Sequence, residues 1–327
     1  MILTNFALPD CAMSEWRQGL VIGSPNRQPL KTCPFILRNR RKIEAILNAN
    51  PSIFSVLLLA TFKYIFLRNT PTVLFDLILK NPVGITENII AKFKGIFLRK
   101  FDHIIAIHKD TSGYEKKYGL EPRQFIYIPF KANNFDTANE STIIDGDYLV
   151  ALGASQRDYP TFLKAVKDIN LKSIIVCSNA GAIANNANVG DVSQYPANTT
   201  RITHHVPTDE WYRWIAQSKF VVVPIKDCAI QPAGISVYLE SIRLRKATIV
   251  SAGASANGIL EHGKTALVVP AADSAALHSA IKQLIDDPEL RQQIATNGYA
   301  YAMHLRNDQR LRKDIAETII KIIETRR

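Results

Sequence analysis

From residue 147 onward the chain alternates short, continuously apolar runs with helical stretches, and this alternation narrows the fold more than any other feature. DYLVAL (147–152), SIIVCS (173–178), KFVVVPI (219–225) and KATIVS (246–251) each read as a buried strand, and TALVV (265–269) as a short fifth. Between them lie helical segments at 160–166, at 209–218 with acidic residues leading, and at 236–244. Strands apolar on both faces need cover on both faces, so the pattern predicts an α/β fold with a parallel sheet between two helical layers. The end is helical: 274–287, a segment opened by Pro288, and a charged last helix over 308–327.

The first 130 residues are less regular. Residues 38–47 read as a helix, 73–79 and HIIAIH (103–108) as strands, 89–101 as a basic amphipathic stretch, and EPRQFIYIPF (121–130) as a last strand and exit loop. The longest apolar run, SIFSVLLLATFKYIF (52–66), contains Lys63 and is closed by Arg68. It falls short of the roughly 20 apolar residues of a spanning helix, which leaves a buried or an interfacial element. The polar stretch 131–145 separates two apolar runs and reads as a linker. The expected division is therefore 1–140, 141–307, and a C-terminal helix 308–327 that crosses back to the first domain.

A chain of 327 residues with 47% hydrophobic composition can build proper cores. Four scattered cysteines form no CxxC pair, and the opening residues lack a basic start and a sustained apolar core, so a cytoplasmic protein is expected. Residues 1–140 hold 19 Lys/Arg against 11 Asp/Glu and residues 141–327 hold 21 against 18, a net +8 (19 − 11) and +3 (21 − 18). Nucleic acid, an anionic membrane or a phosphorylated substrate would each suit that excess, and so would plain solvation.

Ligands of open parallel sheets bind beyond the carboxyl ends of the strands. GASQRDYP (153–160) occupies such a place, with Gly153 for close approach and Arg157 either contacting an anion, pairing with Asp158 or facing solvent. IQPAGISVYLE (230–240) follows a strand and enters a helix. There Gly234 lets backbone approach a diphosphate, Ser236 caps or binds, and Glu240 lies one turn further on, either a partner for sugar hydroxyls or an ordinary glutamate. SAGASANGILEHGKTALVVP (251–270) is a glycine-rich loop in the same kind of position. His204 and His205 end TTRITHHV (199–206), which reads as a strand, either beside a base or as structural histidines, with no third ligand at zinc-like spacing. The dinucleotide, P-loop and hydrolase signatures, G-x-G-x-x-G, G-x-x-x-x-G-K-[ST] and G-x-S-x-G, are read as absent.

The order of YGLEPRQFIYIPF, ALGASQRDYPTFLKAV, HHVPTDEWYRWIAQSKFVVVPI and AGISVYLESIRLRKATIVSAGASANGILEHGKTALVVPAAD, over residues 118–307, resembles the retaining nucleotide-sugar glycosyltransferases of the GT-B fold, family 4 or glycosyl transferases group 1. The resemblance implies two Rossmann-like domains with parallel sheets, the N-terminal one shortened or divergent, since residues 1–23 show no opening unit of strand, glycine-rich loop and long helix. It implies a donor site of Gly153, Arg157, His205, Val206, Gly234, Ile235, Ser236 and Glu240, with Arg157 and Glu240 as the residues that carry catalysis.

In that reading Arg157 neutralises the diphosphate, Gly234 and Ile235 cradle it, and Glu240 holds the ribose. The position eight before Glu240, where the family usually has a second glutamate, is Pro232. The implied substrates are a UDP- or GDP-sugar donor and a saccharide or lipid-linked acceptor in cell-surface glycan or glycolipid synthesis, with no metal and no cofactor. The implied contacts are an anionic membrane on the cytoplasmic face, met through basic residues at 38–42 and 92–100, and no nucleic acid. The alternative is a catalytically inactive relative that keeps the nucleotide-binding shell.

Overall fold

The structure, a computed structural model, describes residues 1–9, 18–21, 29–133, 135 and 143–326. These form two compact units, Met1–Pro129 with Gln309–Arg327, and Phe130–Asp308. Most of the linker read at 131–145 lies outside the described residues.

Unit 1 contains strands β1 (Ile2–Thr4), β2 (Gln18–Val21), β3 (Ala45–Ala49), β4 (Thr72–Phe75), β5 (His103–Ala106) and β6 (Phe125–Tyr127) in one parallel sheet of order β2-β1-β3-β4-β5-β6. Helices α1 (Pro29–Asn39), α2 (Ile53–Phe66), α3 (Gly84–Leu98) and α4 (Ser112–Tyr118) fall between strands, and α11 (Asp308–Glu324) belongs to this unit from Gln309.

Two expectations change here. Residues 38–47 are not one helix: α1 ends at Asn39, and Ala45–Ala49 is a fully buried strand paired on both edges, by β1 and β4. The opening residues, which carry no recognisable strand-led unit, supply β1, an internal strand of the sheet.

The apolar run at 52–66 is α2. Ser52 caps it, its side chain accepting from the Ser55 amide, and Ser55, Val56, Leu59 and Ala60 form the buried face. Helix α3 buries Ala91, Gly95 and Leu98 and leaves its other side in solvent. A Cβ on Gly95 would stand 1.7 Å from the Tyr118 carbonyl oxygen, so α3 can lie this close to the end of α4 only with glycine there.

Unit 2 contains β7 (Tyr148–Leu152), α5 (Tyr159–Val166), β8 (Lys172–Val176), α6 (Asn179–Ala184), β9 (Thr199–Ile202), α7 (Thr208–Ala216), β10 (Phe220–Val223), α8 (Ile235–Arg243), β11 (Thr248–Ser251), β12 (Leu267–Val269), α9 (Ser274–Asp286) and α10 (Pro288–Leu305). Its sheet is parallel throughout, in the order β12-β11-β10-β7-β8-β9.

Strand β10 is buried residue by residue, as its unbroken FVVV requires. Tyr159 and Phe162 of α5 and Ile281 and Leu284 of α9 pack into the core around it. On α10, Gly298 lets the helix approach Ile242 of α8, where a Cβ would come within 3.1 Å. The strand order places the ends of β10 and β7, two central neighbours, side by side, and the chain leaves each through a glycine-bearing loop.

Candidate donor site

Gly153 follows β7 directly, with φ +99°, and its amide donates to the Val176 carbonyl at 3.1 Å. A Cβ there would lie 2.6 Å from Arg157 Nη2, so the missing side chain is the space the guanidinium fills. Arg157 is 1% exposed. Its Nε donates to the Leu152 carbonyl at 2.8 Å and its Nη1 to the Ser155 carbonyl at 2.8 Å.

Neither sequence-derived bland role for Arg157 holds. Asp158 is occupied as the cap of α5, accepting from the Thr161 amide and hydroxyl, and the guanidinium does not face solvent. Burial lowers its pKa from the ordinary guanidinium value, yet an arginine remains charged. The result is a buried cation solvated by backbone carbonyls.

Gly234 stands on the other side of that cation. It caps α8 at φ +89°, and a Cβ on it would meet Val223 Cγ1 at 2.9 Å, Ile225 Cδ1 at 3.0 Å and Arg157 Nη1 at 3.5 Å. No side chain caps the first turn of α8, so the leading amides, from Ile235 and Ser236 onward, are left without intrahelical acceptors. Ile235 is buried and Ser236 half-buried. Free amides, the positive end of a helix and a guanidinium whose Nη1 would stand 3.5 Å from a Cβ on the capping residue together make a place suited to an anion.

Beyond the ends of β7, β8 and β9 lies a cavity of about 190 Å³ with Gly153, Ser178, His204, His205, Val206 and Trp211 among its walls. The two histidines are exposed and Val206 is buried. Trp211, on α7, links this cavity to α8: its indole Nε1 donates to Glu240 Oε2 at 2.9 Å, while Asn133 Nδ2 donates to Oε1 at 3.0 Å.

Glu240 is 7% exposed, and burial pushes its carboxyl above the usual range against the opposing pull of Trp211, Asn133 and the Lys131 charge. Tyr212 is a third hydrogen-bond partner of the carboxylate, and because two carboxylate oxygens offer about four acceptor positions, the group can still accept from one further hydroxyl. Ser236 and Glu240 share one side of α8, four residues apart.

The fold thus brings Gly153, Arg157 and Gly234 into one cluster and Gly153, His205 and Val206 into one cavity wall, with Glu240 tied to that wall through Trp211. Trp211 lies in the helical segment expected at 209–218, and an aromatic on an amphipathic helix carries no signal of a partner 29 residues away. Asn133 was not singled out for the same reason.

The absence of a P-loop signature does not hold: residues 258–265, GILEHGKT, have the G-x-x-x-x-G-K-[ST] spacing of a phosphate-binding P-loop. Here Lys264 pairs with Glu261 at 2.8 Å and the chain runs on into β12 rather than into a helix. The motif is a turn without the helix N-terminus a P-loop needs. No group of three His, Cys, Asp or Glu able to hold a metal ion occurs among the described residues.

Residues 155–301 match the family described as Glycosyl transferases group 1. Over 83 residues, 25% of this chain and 20% of the relative, the sequence is 32% identical to the alpha-D-kanosaminyltransferase of Streptomyces kanamyceticus; the chain thus spans only a fifth of that protein.

Among solved structures, Anabaena HepE in complex with UDP superposes with a TM-score of 0.66 at 15% identity, covering 88% of this chain and 81% of its own. Sucrose-phosphate synthase of Thermosynechococcus elongatus superposes at 0.64 with 16% identity, covering 94% and 82%. With two parallel α/β units matched at this extent, the chain has the GT-B fold of the glycosyltransferases, and its residues 155–301 are similar to the glycosyl transferases group 1.

Proposed function

We propose that the protein is a glycosyltransferase that takes a sugar from a nucleotide diphosphate, UDP or GDP, bound in unit 2. The observation that carries this reading is the Arg157 guanidinium, buried with no carboxylate partner among the described residues and 3.5 Å from where a Cβ on the glycine that opens α8 would stand. A buried cation of this kind is expensive unless it serves an anion, and a diphosphate at the α8 amino end would meet both its charge and the free helix amides.

In this reading Gly234 and Ile235 present backbone to the phosphates, Ser236 adds a hydroxyl, Glu240 accepts from the ribose hydroxyls, and His205 and Val206 flank the base. As the bond from the sugar's anomeric carbon to the diphosphate oxygen breaks, negative charge grows on that oxygen, where the guanidinium and the helix dipole stabilise it. The sugar passes to an acceptor hydroxyl, whose proton is released, with retention of anomeric configuration. The acceptor is a saccharide or lipid-linked saccharide of cell-surface glycan or glycolipid synthesis, handled at the cytoplasmic face.

A non-catalytic nucleotide-binding role is the second reading, and Pro232 favours it, since no carboxylate stands eight positions before Glu240. A thermal-shift screen of UDP, GDP and their sugars tests the first. Protection of the wild type by one nucleotide, lost in Arg157→Met, is the expected result, and no shift with any nucleotide diphosphate would sink it. Sugar release or transfer from the protecting donor separates the two readings.

A further inference from the structure

Exposed large apolar side chains are not spread over this molecule. Of the 16 among the described residues, 12 fall between Ile53 and Ile96, on α2, α3 and the segment joining β4 to α3. Helices α2 and α3 are packing neighbours in unit 1, so their solvent sides form one surface. Single exposed apolar residues are ordinary, whereas a contiguous set of this size marks a surface that meets something else.

On α3 the set has helical order. Ile85, Ile89, Phe93 and Ile96 recur at spacings of four, four and three, directly opposite the buried Ala91, Gly95 and Leu98. The same periodicity sets Lys92 and Arg99 along one margin of the stripe and Lys94 along the other. On α2, Phe54, Tyr64 and Ile65 face solvent, and the Arg68 and Lys100 cations lie over the Tyr64 ring at 5.3 and 5.7 Å. Residues 51–100 carry seven Lys/Arg against two Asp/Glu, a net +5 (7 − 2).

We propose that this α2–α3 face docks on an anionic lipid bilayer, with the apolar stripe entering the interface and the lysines and arginines meeting headgroup phosphates. Among the described residues no helix is long and apolar enough to cross a membrane, while α3 has the stripe and cationic margins of a helix lying in the membrane plane. A second copy of the chain is the poorer occupant, because a twofold contact would set this positive surface against itself.

The surface also contains a suitable recess. Ile53 and Ile78, both exposed, line a cavity of about 370 Å³ together with Lys80 and Lys94. Its wall at residues 77–80 is pinned from behind. The Leu79 amide donates to Tyr114 Oη at 3.1 Å, Tyr114 Oη donates to the Leu77 carbonyl at 3.2 Å, and Tyr118 Oη donates to the Lys80 carbonyl at 2.7 Å. An apolar recess with ammonium groups in its lining suits a phosphate-bearing headgroup and the start of its chain.

The test is co-sedimentation of the full chain with phosphatidylcholine vesicles, with and without about one-third phosphatidylglycerol, at low salt and at roughly 0.5 M NaCl. The expected result is at least roughly tenfold more binding to the anionic vesicles, falling at high salt, and lost in Ile89→Asp/Phe93→Asp and in Lys80→Glu/Lys94→Glu. Ile89→Trp gives a readout that does not depend on those variants folding: its emission should shift to the blue on adding anionic vesicles and be quenched by brominated lipid.

Absence of binding, equal binding to neutral vesicles, binding unchanged in the variants, or a dimer without lipid that Ile89→Asp dissolves would each overturn the proposal. Nucleotide protection, measured on the same preparations, keeps the docking face and the transferase reading separately refutable.

Discussion

The Trp211 indole donates to the Glu240 carboxylate at 2.9 Å, which couples a wall of the cavity in unit 2 to the helix that opens at Gly234. The carboxyl is held above its ordinary 4.5 chiefly by burial. In the native state it therefore keeps a proton that the unfolded chain releases. Its contribution to stability is full below pH 4.5 and declines as pH rises through the native pKa. Urea denaturation of Glu240→Gln across the weakly acid range should lack that decline. In the wild type, nucleotide affinity should rise over the same window as the carboxylate forms, and Glu240→Gln should bind about ten- to a hundredfold more weakly at neutral pH, the worth of a charged hydrogen bond of about 1.5–3 kcal/mol.

Gly153→Ala should be far more damaging than its size suggests. A residue with a Cβ at positive φ loses about 1–2 kcal/mol, and here the methyl would also strike the buried guanidinium, 2.6 Å from Nη2. Gly119→Ala is a control at φ +69°, where the nearest neighbour, Arg99 Nη1, would stand at an ordinary 3.5 Å. Denaturation should show a loss of roughly 1 kcal/mol for Gly119→Ala and at least twice that for Gly153→Ala. Only Gly153→Ala should abolish nucleotide protection; protection surviving in it would separate Arg157 from the site.

Unit 2 was legible in the sequence because its strands are apolar on both faces and its helices periodic; the five apolar strands lie within two residues of observed ones, while the strand read over 199–206 ends at Ile202, before the two histidines. Unit 1 was less so. IEAILNA at 43–49 follows four basic residues with helix-like spacing, and only its neighbours β1 and β4, supplied by residues 2–4 and 72–75, make it a strand. At the site, the residue types near strand ends announced Gly153, Arg157 and Gly234. Their convergence did not show, because it depends on the loops after β7 and β10, adjacent strands that lie far apart in the sequence. The Asn133–Glu240 bond, across 107 residues, has no local signature at all.

His108 offers a test confined to unit 1. It follows β5, is 2% exposed, and stacks edge-on against Tyr114 at 5.3 Å, with no hydrogen-bond partner for either ring nitrogen among the described residues. Burial lowers its pKa to about 4 from 6.5, with Asp110 pulling weakly the other way. The folded state thus holds the ring neutral where the unfolded chain would protonate it. Stability is full above pH 6.5 and falls as pH drops toward 4, by up to about 3 kcal/mol. His108→Leu should remove most of this acid sensitivity, measured as the change in urea midpoint between neutral and weakly acid buffer, and an unchanged slope would assign the effect to other groups.

Asp102 is the other concentrated electrostatic feature of unit 1. Its carboxylate accepts from Lys63 on α2, from the Thr72 amide at 2.8 Å and hydroxyl at 3.0 Å on β4, and from Arg326 beyond the end of α11. Burial alone would raise its pKa, but these donors outweigh it and hold the carboxyl below the ordinary carboxylate value. The stability so gained is present above pH 3.8 and is lost as pH falls through the lower native pKa.

Removing the charge strands Lys63, whose side chain is only 12% exposed. Asp102→Asn should therefore cost about 3 kcal/mol or more, whereas Lys63→Met/Asp102→Asn should recover part of it, because the uncompensated cation is gone. A double-mutant cycle by urea denaturation measures the coupling. Strict additivity would mean that the carboxylate serves the Thr72 amide and Arg326 and gains nothing from the lysine.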